Sequence, residues 1–190
     1  MKSLCVYCSS SDRLEPKYYA AATELGEELG WRQWTLVYGG GRTGLMGALA
    51  RGVKSKGGRV VGVIPEFMKV RELEFTEADE LICVLTMRER KMLMETRADA
   101  FLALPGGWGT LEELTEMLTW LQLSIHAKPI GLLNVAGYFD HLLAFAETMV
   151  SEGFVRVEHR SLFCVAEDPE RLIEQLAATT LVTGDKGVDP

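Results

Sequence analysis

The chain has 190 residues, of which 47% are hydrophobic and 25% are charged, and its formal net charge is −7. These values are typical of one soluble globular domain. They argue against sequence-independent binding of nucleic acid, which needs clustered lysine and arginine. No apolar run approaches the roughly 18 residues of a membrane span, and residues 1–8 are too short an apolar start for a secretory signal. We therefore expect a cytoplasmic protein with no membrane partner.

Apolar runs alternate with amphipathic segments along the chain. Several runs lack a period of two, as expected of strands that are covered on both faces. This alternation predicts an α/β fold with a doubly wound parallel sheet, in which ligands bind at the carboxyl ends of the strands. We predict a single nucleotide-binding domain over residues 1–178 and a flexible tail over 179–190. The predicted strands are 2–8, 35–38, 60–64, 81–85, 100–104, 130–133 and 162–165, and the predicted helices are 18–29, 45–55, 87–97, 111–123, 138–150 and 169–178.

The chain has four cysteines, and Cys5 and Cys8 form a CxxC pattern inside the first predicted strand. Their odd spacing directs them to opposite faces of the sheet, which suits neither a disulfide nor a zinc site. We expect all four cysteines to be reduced, buried and structural. The three histidines have no metal-binding spacing, and we expect no metal and no cofactor.

The first glycine turn, residues 39–44, reads GGGRTG and lies between a predicted strand and a predicted helix. It satisfies the dinucleotide pattern G-x-G-x-x-G, and Glu66 lies near the position of the acidic residue that such sites require. Against this, the turn follows the second strand rather than the first. Three interpretations stay open: a small-nucleotide contact through Gly40 and Gly41, a dinucleotide site, and a turn whose glycines only permit close packing.

The second glycine turn, residues 105–109, reads PGGWG and also lies between an apolar run and an amphipathic segment. Glycines let backbone amides approach a ligand, and a helix N-terminus offers unpaired donors with partial positive charge, which suits a phosphate. Glu113 follows one turn inside this helix. The alternative is a capping box, in which Thr110 and Glu113 bond terminal amides, although a capping box does not require three glycines.

A second capping box, formed by Thr86 and Glu89, starts a predicted helix that carries Arg90 and Lys91. Most basic residues of this helix suit a solvated face that pairs with acidic neighbours. Arg90 and Lys91, however, lie near the helix start and hence at the ligand-binding edge of the sheet, where an arginine fork clamps a phosphate or sugar hydroxyls.

Three segments together resemble the LONELY GUY family of cytokinin riboside 5′-monophosphate phosphoribohydrolases, long mislabelled as lysine decarboxylases. They are YGGGRTGLMG at 38–47, the Arg90-Lys91 pair, and PGGWGTLEE at 105–113. The resemblance extends from about residue 2 to residue 176. It implies a Rossmann-like three-layer α/β/α sandwich, a homodimer or higher homo-oligomer, and hydrolysis of the N-glycosidic bond of an adenosine 5′-monophosphate, with or without an N6 substituent.

The resemblance also implies which residues act. Arg90 and Glu113 match the catalytic pair: the carboxylate stabilises positive charge on the sugar ring or activates water, and the guanidinium positions ribose and carboxylate. Glu72 matches a ligand-contacting glutamate. The other residues implied to bind substrate are Lys91, Gly107, Trp108, Gly109, Thr110, Leu111, Glu112 and Thr119.

The chain departs from the family pattern at three positions. Arg88 replaces a histidine, Trp108 replaces a tyrosine, and Ser9 replaces a glycine. These changes keep the catalytic pair and leave the preferred base open between adenine and an N6-prenylated adenine. The main alternative function is a non-catalytic nucleotide or cofactor carrier. A dinucleotide enzyme ranks third, and lysine decarboxylation ranks last because no lysine lies in a pyridoxal-binding context.

Overall fold

The computed structural model describes residues 2–69 and 74–179. Within these ranges, seven strands and six α-helices alternate as the sequence predicts. Glu72 and residues 180–190 lie outside the described residues, and so do the predictions made for them. The strands are β1 (Ser3–Tyr7), β2 (Thr35–Tyr38), β3 (Arg59–Pro65), β4 (Glu80–Val84), β5 (Ala100–Ala103), β6 (Ile130–Leu133) and β7 (Phe163–Ala166). The helices are α1 (Pro16–Trp31), α2 (Gly44–Ser55), α3 (Met87–Thr96), α4 (Trp108–Gln122), α5 (Asp140–Ser151) and α6 (Pro169–Ala178).

All seven strands are parallel and form one sheet in the order β4-β3-β2-β1-β5-β6-β7. The chain runs outward from β1 to β4, returns to place β5 on the other side of β1, and continues outward to β7. The order therefore reverses between β1 and β5, whose last residues, Tyr7 and Ala103, are paired. A crevice at such a reversal, beyond the carboxyl ends of the strands, is where doubly wound folds bind ligands.

The sheet separates two apolar layers, so the molecule is a three-layer α/β/α sandwich as predicted. Successive residues of β1 alternate between the layers: Leu4 and Val6 pack toward α1, α2 and α6, whereas Cys5 and Tyr7 pack toward α3, α4 and α5. None of the helices in the described ranges is long and apolar enough to cross a membrane.

The cysteine predictions are correct in part. In the described part of the chain none of the four cysteines forms a disulfide, and Cys5 and Cys8 are buried on opposite faces of the sheet. The expectation that all four are buried is wrong, because Cys83 is exposed and Cys164 is only half-buried. Cys83 lies in β4, one of the two edge strands of the sheet, which is less buried than the central strands.

Candidate active site

A buried ion pair joins α3 to α4 beyond the carboxyl ends of the central strands. Arg90 Nη1 donates to Glu113 Oε1 at 3.1 Å, and the two residues are only 4% and 6% exposed. The Arg90 Nε–H donates to the Val63 carbonyl of β3 at 3.1 Å. The guanidinium is therefore held at two points. The structure brings together the two residues that the motifs identify as the catalytic pair.

The start of α3 fixes the position of Arg90. As predicted, Thr86 and Glu89 form a capping box: the Glu89 amide donates to Thr86 Oγ1 at 3.2 Å, and Glu89 Oε2 accepts from the Thr86 amide at 3.2 Å. This box satisfies two terminal amides and fixes the start of the helix one turn before Arg90. Arg90 consequently lies at the ligand edge of the sheet rather than on a solvated face.

Gly39, at the end of β2, leaves the space that the guanidinium occupies. A Cβ added to Gly39 would lie 2.1 Å from Arg90 Nη2. The φ angle of Gly39 is outside the left-handed region, so its backbone conformation alone does not require glycine. Close approach of Arg90 is therefore the physical reason for glycine at this position.

The second glycine turn ends in a helix start with unpaired amides. Gly107 is the N-cap of α4 in an extended conformation, and its carbonyl accepts from the Leu111 amide at 3.1 Å. In the described part of the chain, no acceptor takes the amide hydrogens of Trp108, Gly109 and Thr110. Open space lies beyond Gly107 and Gly109, since a Cβ added to either would have no neighbour within 4 Å. These three donors and the helix dipole form a site suited to a phosphate.

The alternative capping box at Thr110 and Glu113 is wrong. The helix begins three residues earlier than predicted, at Trp108, so Thr110 lies inside the first turn and makes no capping hydrogen bond. Its side chain instead packs on Gly106, where an added Cβ would lie 2.0 Å from Thr110 Oγ1. The Glu113 carboxylate is directed to Arg90.

At the helix start that follows the first glycine turn, three amides already have acceptors. The Gly44 amide donates to Asp12 Oδ1 at 2.7 Å, and the Leu45 and Met46 amides share the Ser9 carbonyl at 2.9 and 3.4 Å. A dinucleotide site uses these amides for its pyrophosphate, so the geometry disfavours that interpretation. At this helix start the geometry favours the interpretation that the glycines only permit close packing.

Gly40 and Gly41 are buried at this turn. The Gly40 carbonyl accepts from the Phe75 amide at 3.0 Å, and Gly41 pairs with Glu74 in an antiparallel bridge. A contact of Gly40 and Gly41 with nucleotide stays a prediction.

A second, more exposed ion cluster lies beside the buried pair. Lys91 Nζ contacts the carboxylates of Glu112 and Glu116, the latter at 3.0 Å. Burial lowers the pKa of Lys91, but the hydrogen bonds that its ammonium donates to the two carboxylates outweigh burial and raise the pKa overall. Lys91 is thus a cation at neutral pH that links α3 to α4. Sequence reasoning missed Glu116, although its spacing of four residues from Glu112 places both on one helix face.

Two buried titratable groups lie below the ion pair in β1. Burial raises the pKa of Tyr7, and the neighbouring Cys5 and Glu113 raise it further. Burial likewise raises the pKa of Cys5. Both groups are therefore neutral at physiological pH, and the buried ion pair above them is that of Arg90 and Glu113. Within the described ranges, no group of three or more His, Cys, Asp or Glu residues is arranged to hold a metal ion.

Thr119 is distant from the ion pair. It lies farther along α4, where its hydroxyl donates to the Thr115 carbonyl at 2.7 Å. It lines a largely apolar groove of about 810 Å³ between α4, α5 and β7. Trp108 is 88% exposed at the start of α4. A single copy of the chain therefore brings Trp108, but not Thr119, to the start of the helix that carries Glu113.

Comparison with known proteins places this chain in a family. The family model described as "Possible lysine decarboxylase" matches residues 46–176. A protein of Oryza sativa subsp. japonica, named as a probable cytokinin riboside 5′-monophosphate phosphoribohydrolase, is 50% identical over 92% of this chain and 77% of its own length. A cytokinin riboside 5′-monophosphate phosphoribohydrolase of Arabidopsis thaliana is 45% identical over 93% of this chain and 78% of its own length.

This chain belongs to the cytokinin riboside 5′-monophosphate phosphoribohydrolase family. The family resemblance given by the three sequence motifs is thereby confirmed.

Solved structures show the same fold outside the phosphoribohydrolases. The molybdenum cofactor binding protein from Rippkaea orientalis is similar with a TM-score of 0.71 at 21% identity, over 94% of this chain and 97% of that chain. The Moco carrier protein from Chlamydomonas reinhardtii has a TM-score of 0.69 at 22% identity, over 93% and 98% of the two chains. At this level of identity the likeness establishes the sandwich fold only.

Two residues that the sequence analysis predicts to depart from the family pattern precede the ion-pair residues in the chain. Arg88 and Trp108 are exposed in the first turns of α3 and α4. Arg90 and Glu113 remain buried and paired between them. These substitutions therefore alter the rim of the site and leave the pair intact.

Proposed function

We propose that this protein hydrolyses the N-glycosidic bond of adenosine 5′-monophosphates, including N6-modified ones, and releases the free base and ribose 5-phosphate. One observation carries the proposal: a buried Arg90–Glu113 pair lies next to a helix start with three unpaired amides. A carboxylate beside a phosphate site suits chemistry at the sugar of a nucleotide. The phosphoribohydrolases that are 45–50% identical to this chain support the same reaction.

The reaction breaks the bond between C1′ of the ribose and the base nitrogen, and the oxygen of water bonds to C1′. The departing base takes up one proton, so water supplies the hydroxyl group on C1′ and the proton on the base. Positive charge develops on the sugar ring in the transition state, and the Glu113 carboxylate stabilises it or takes a proton from the attacking water. Arg90 holds this carboxylate in one orientation through its bond at 3.1 Å.

The amides of Trp108, Gly109 and Thr110 bind the 5′-phosphate in this proposal. Binding energy at a part of the substrate that does not react orients the reacting bond, which raises the rate beyond that of a nucleoside. Lys91, which pairs with Glu112 of α4, and Trp108 contact the bound nucleotide in this proposal. Leu111 and Glu112 complete the same helical turn.

We also propose a homodimer, in which a second copy of this chain covers the groove between α4 and α5. Within the described ranges, α5 has no fully buried residue, and the nearby Phe145 and Phe154 are 59% and 84% exposed. The groove is continuous with α4, which carries Glu113. A copy seated there brings Thr119 into a shared site. Light scattering at micromolar concentration tests this, and the mass of a monomer contradicts it. A cytoplasmic location is also proposed, and the four cysteines, none of which forms a disulfide in the described residues, support it.

Product analysis tests the proposed reaction. Purified protein is incubated with AMP, with isopentenyladenosine 5′-monophosphate and with the two matching nucleosides, and the products are separated by chromatography. We expect equimolar free base and ribose 5-phosphate from at least one nucleotide. Each nucleoside is expected to react on the order of 10²-fold or more slowly, because it lacks the charge-assisted bonds to the amides. Saturable binding of intact nucleotide without products would instead indicate a carrier.

A further inference from the structure

Tyr138 makes a long-range contact with the second glycine turn. Its hydroxyl donates to the Gly106 carbonyl at 2.7 Å, across 32 residues of sequence. Tyr138 follows a short 3₁₀ helix, Val135–Gly137, after β6. No motif assigns it a role in the reaction. It is 44% exposed, so burial of its ring alone does not explain the contact.

Neighbouring residues hold the Tyr138 ring in place. It packs edge-on against Tyr18 of α1, with centroids 5.9 Å apart, and against Phe139 at 5.1 Å. The backbone is anchored as well: the buried Asn134 side chain accepts from the Phe139 amide at 2.7 Å and donates to Asp140 Oδ1 at 2.8 Å. The hydroxyl is thus presented by a fixed ring on a fixed segment.

The Gly106 carbonyl belongs to the same peptide plane as the Gly107 amide. Because that plane is rigid and the two groups point to opposite sides, holding the oxygen fixes the direction of the N–H. Thr110 contacts Gly106 as well, since a Cβ there would lie 2.0 Å from its Oγ1. Gly106 is therefore held by Tyr138 and by Thr110, immediately before the unpaired amides.

We infer that Tyr138 is a positioning residue for the 5′-phosphate: it holds the peptide that opens the amide site at the start of α4. This rests on the proposed function, in which those amides bind the phosphate. The role is confined to the phosphate, because the Tyr138 hydroxyl donates to Gly106 in the glycine turn, whereas Arg90 donates to Val63 and Glu113. Removal of its hydroxyl is expected to weaken binding of phosphorylated ligands and to leave the chemical step unchanged.

The test replaces Tyr138 by phenylalanine in the full chain. We expect the KM for the nucleotide to rise about fivefold, the effect of one net hydrogen bond, with kcat unchanged within twofold. The inhibition constant of ribose 5-phosphate rises by the same factor, and that of the released base does not change. Tyr18→Phe is the matched control: it removes a ring hydroxyl of the same aromatic cluster that interacts with the exposed Lys17 and not with Gly106, and both constants stay at the wild-type values.

Each outcome is decisive. Wild-type protein that neither turns over nucleotide nor binds ribose 5-phosphate overturns the proposed function, and the inference with it. Active wild type with an unchanged Tyr138→Phe variant overturns the inference alone, and so does an equal rise of both inhibition constants, which indicates a general structural role. If the variant does not fold, the wild type is titrated with ribose 5-phosphate and followed by NMR. The Gly107 amide belongs to the peptide that Tyr138 holds, so a Gly107 amide resonance that does not move overturns the inference.

Discussion

Replacement of Glu113 by glutamine is expected to lower kcat by on the order of 10²- to 10⁴-fold while nucleotide binding persists. Glutamine keeps the shape and an oxygen that accepts from Arg90 Nη1, but it carries no negative charge. It therefore cannot stabilise a cationic sugar or accept a proton from water. The phosphate amides are backbone groups that begin five residues earlier, at Trp108, and are unaffected. Steady-state kinetics with a separate measurement of the nucleotide Kd distinguish the two effects.

Glu95→Gln is the matched control for this variant. Glu95 lies near the other end of α3, is half-buried, and pairs with Lys128 rather than with the site residues. Its neutralisation is expected to leave kcat unchanged within about twofold, since its charge is a turn or more away from Arg90. Full turnover in Glu113→Gln would show that the carboxylate serves only to pair with Arg90.

Replacement of Arg90 by alanine is expected to reduce both activity and stability. The change leaves the Glu113 carboxylate buried without its guanidinium partner, which costs about 3–5 kcal/mol in comparable buried pairs. The Val63 carbonyl also loses the donor that it has at 3.1 Å. With the carboxylate no longer oriented, kcat falls as well. Urea unfolding gives the free energy of unfolding, and initial rates give kcat and KM.

Arg97→Ala is the matched control for Arg90→Ala. It shows how much of the effect comes from losing a buried arginine rather than from losing any arginine of this segment. Arg97 follows α3 directly, is exposed, and pairs with Glu80 at 3.0 Å on the surface. Its removal is expected to cost at most about 1 kcal/mol, as is usual for exposed ion pairs. Equal losses of stability in the two variants would contradict the role of the buried pair.

The alternation of strands and helices could be predicted from the sequence because each element has its own periodicity. The seven strands and six helices of the described ranges lie where the apolar runs and amphipathic segments place them. Their order in the sheet could not be predicted in the same way, because a hydrophobic period does not identify the neighbour of a strand. The reversal between β1 and β5, which positions the site, is a property of the tertiary structure.

Local patterns failed where long-range partners compete for the same groups. Thr110 and Glu113 have the spacing of a capping box, yet Glu113 pairs with Arg90, a residue 23 positions away. The two glycine turns look alike in sequence, but Asp12 and Ser9 already accept from the helix-start amides that follow the first turn. These partners become visible only when the strands are assembled.

The motif residues near the pair were predictable because family motifs name them one by one. Thr119 was named in the same way, but its place in a groove away from Glu113 depends on how α4 packs against α5. Tyr138 had no motif role, and its contact with Gly106 arises only because the segment after β6 lies beside the turn after β5.

The structure of the Glu113→Gln variant with bound nucleotide tests the central claim most directly. The proposal predicts 5′-phosphate oxygens about 2.7–3.2 Å from the amide nitrogens of Trp108, Gly109 and Thr110. It also predicts that C1′ of the ribose faces the side chain at position 113. A phosphate bound instead at the first glycine turn, with the sugar remote from Arg90, would contradict the account.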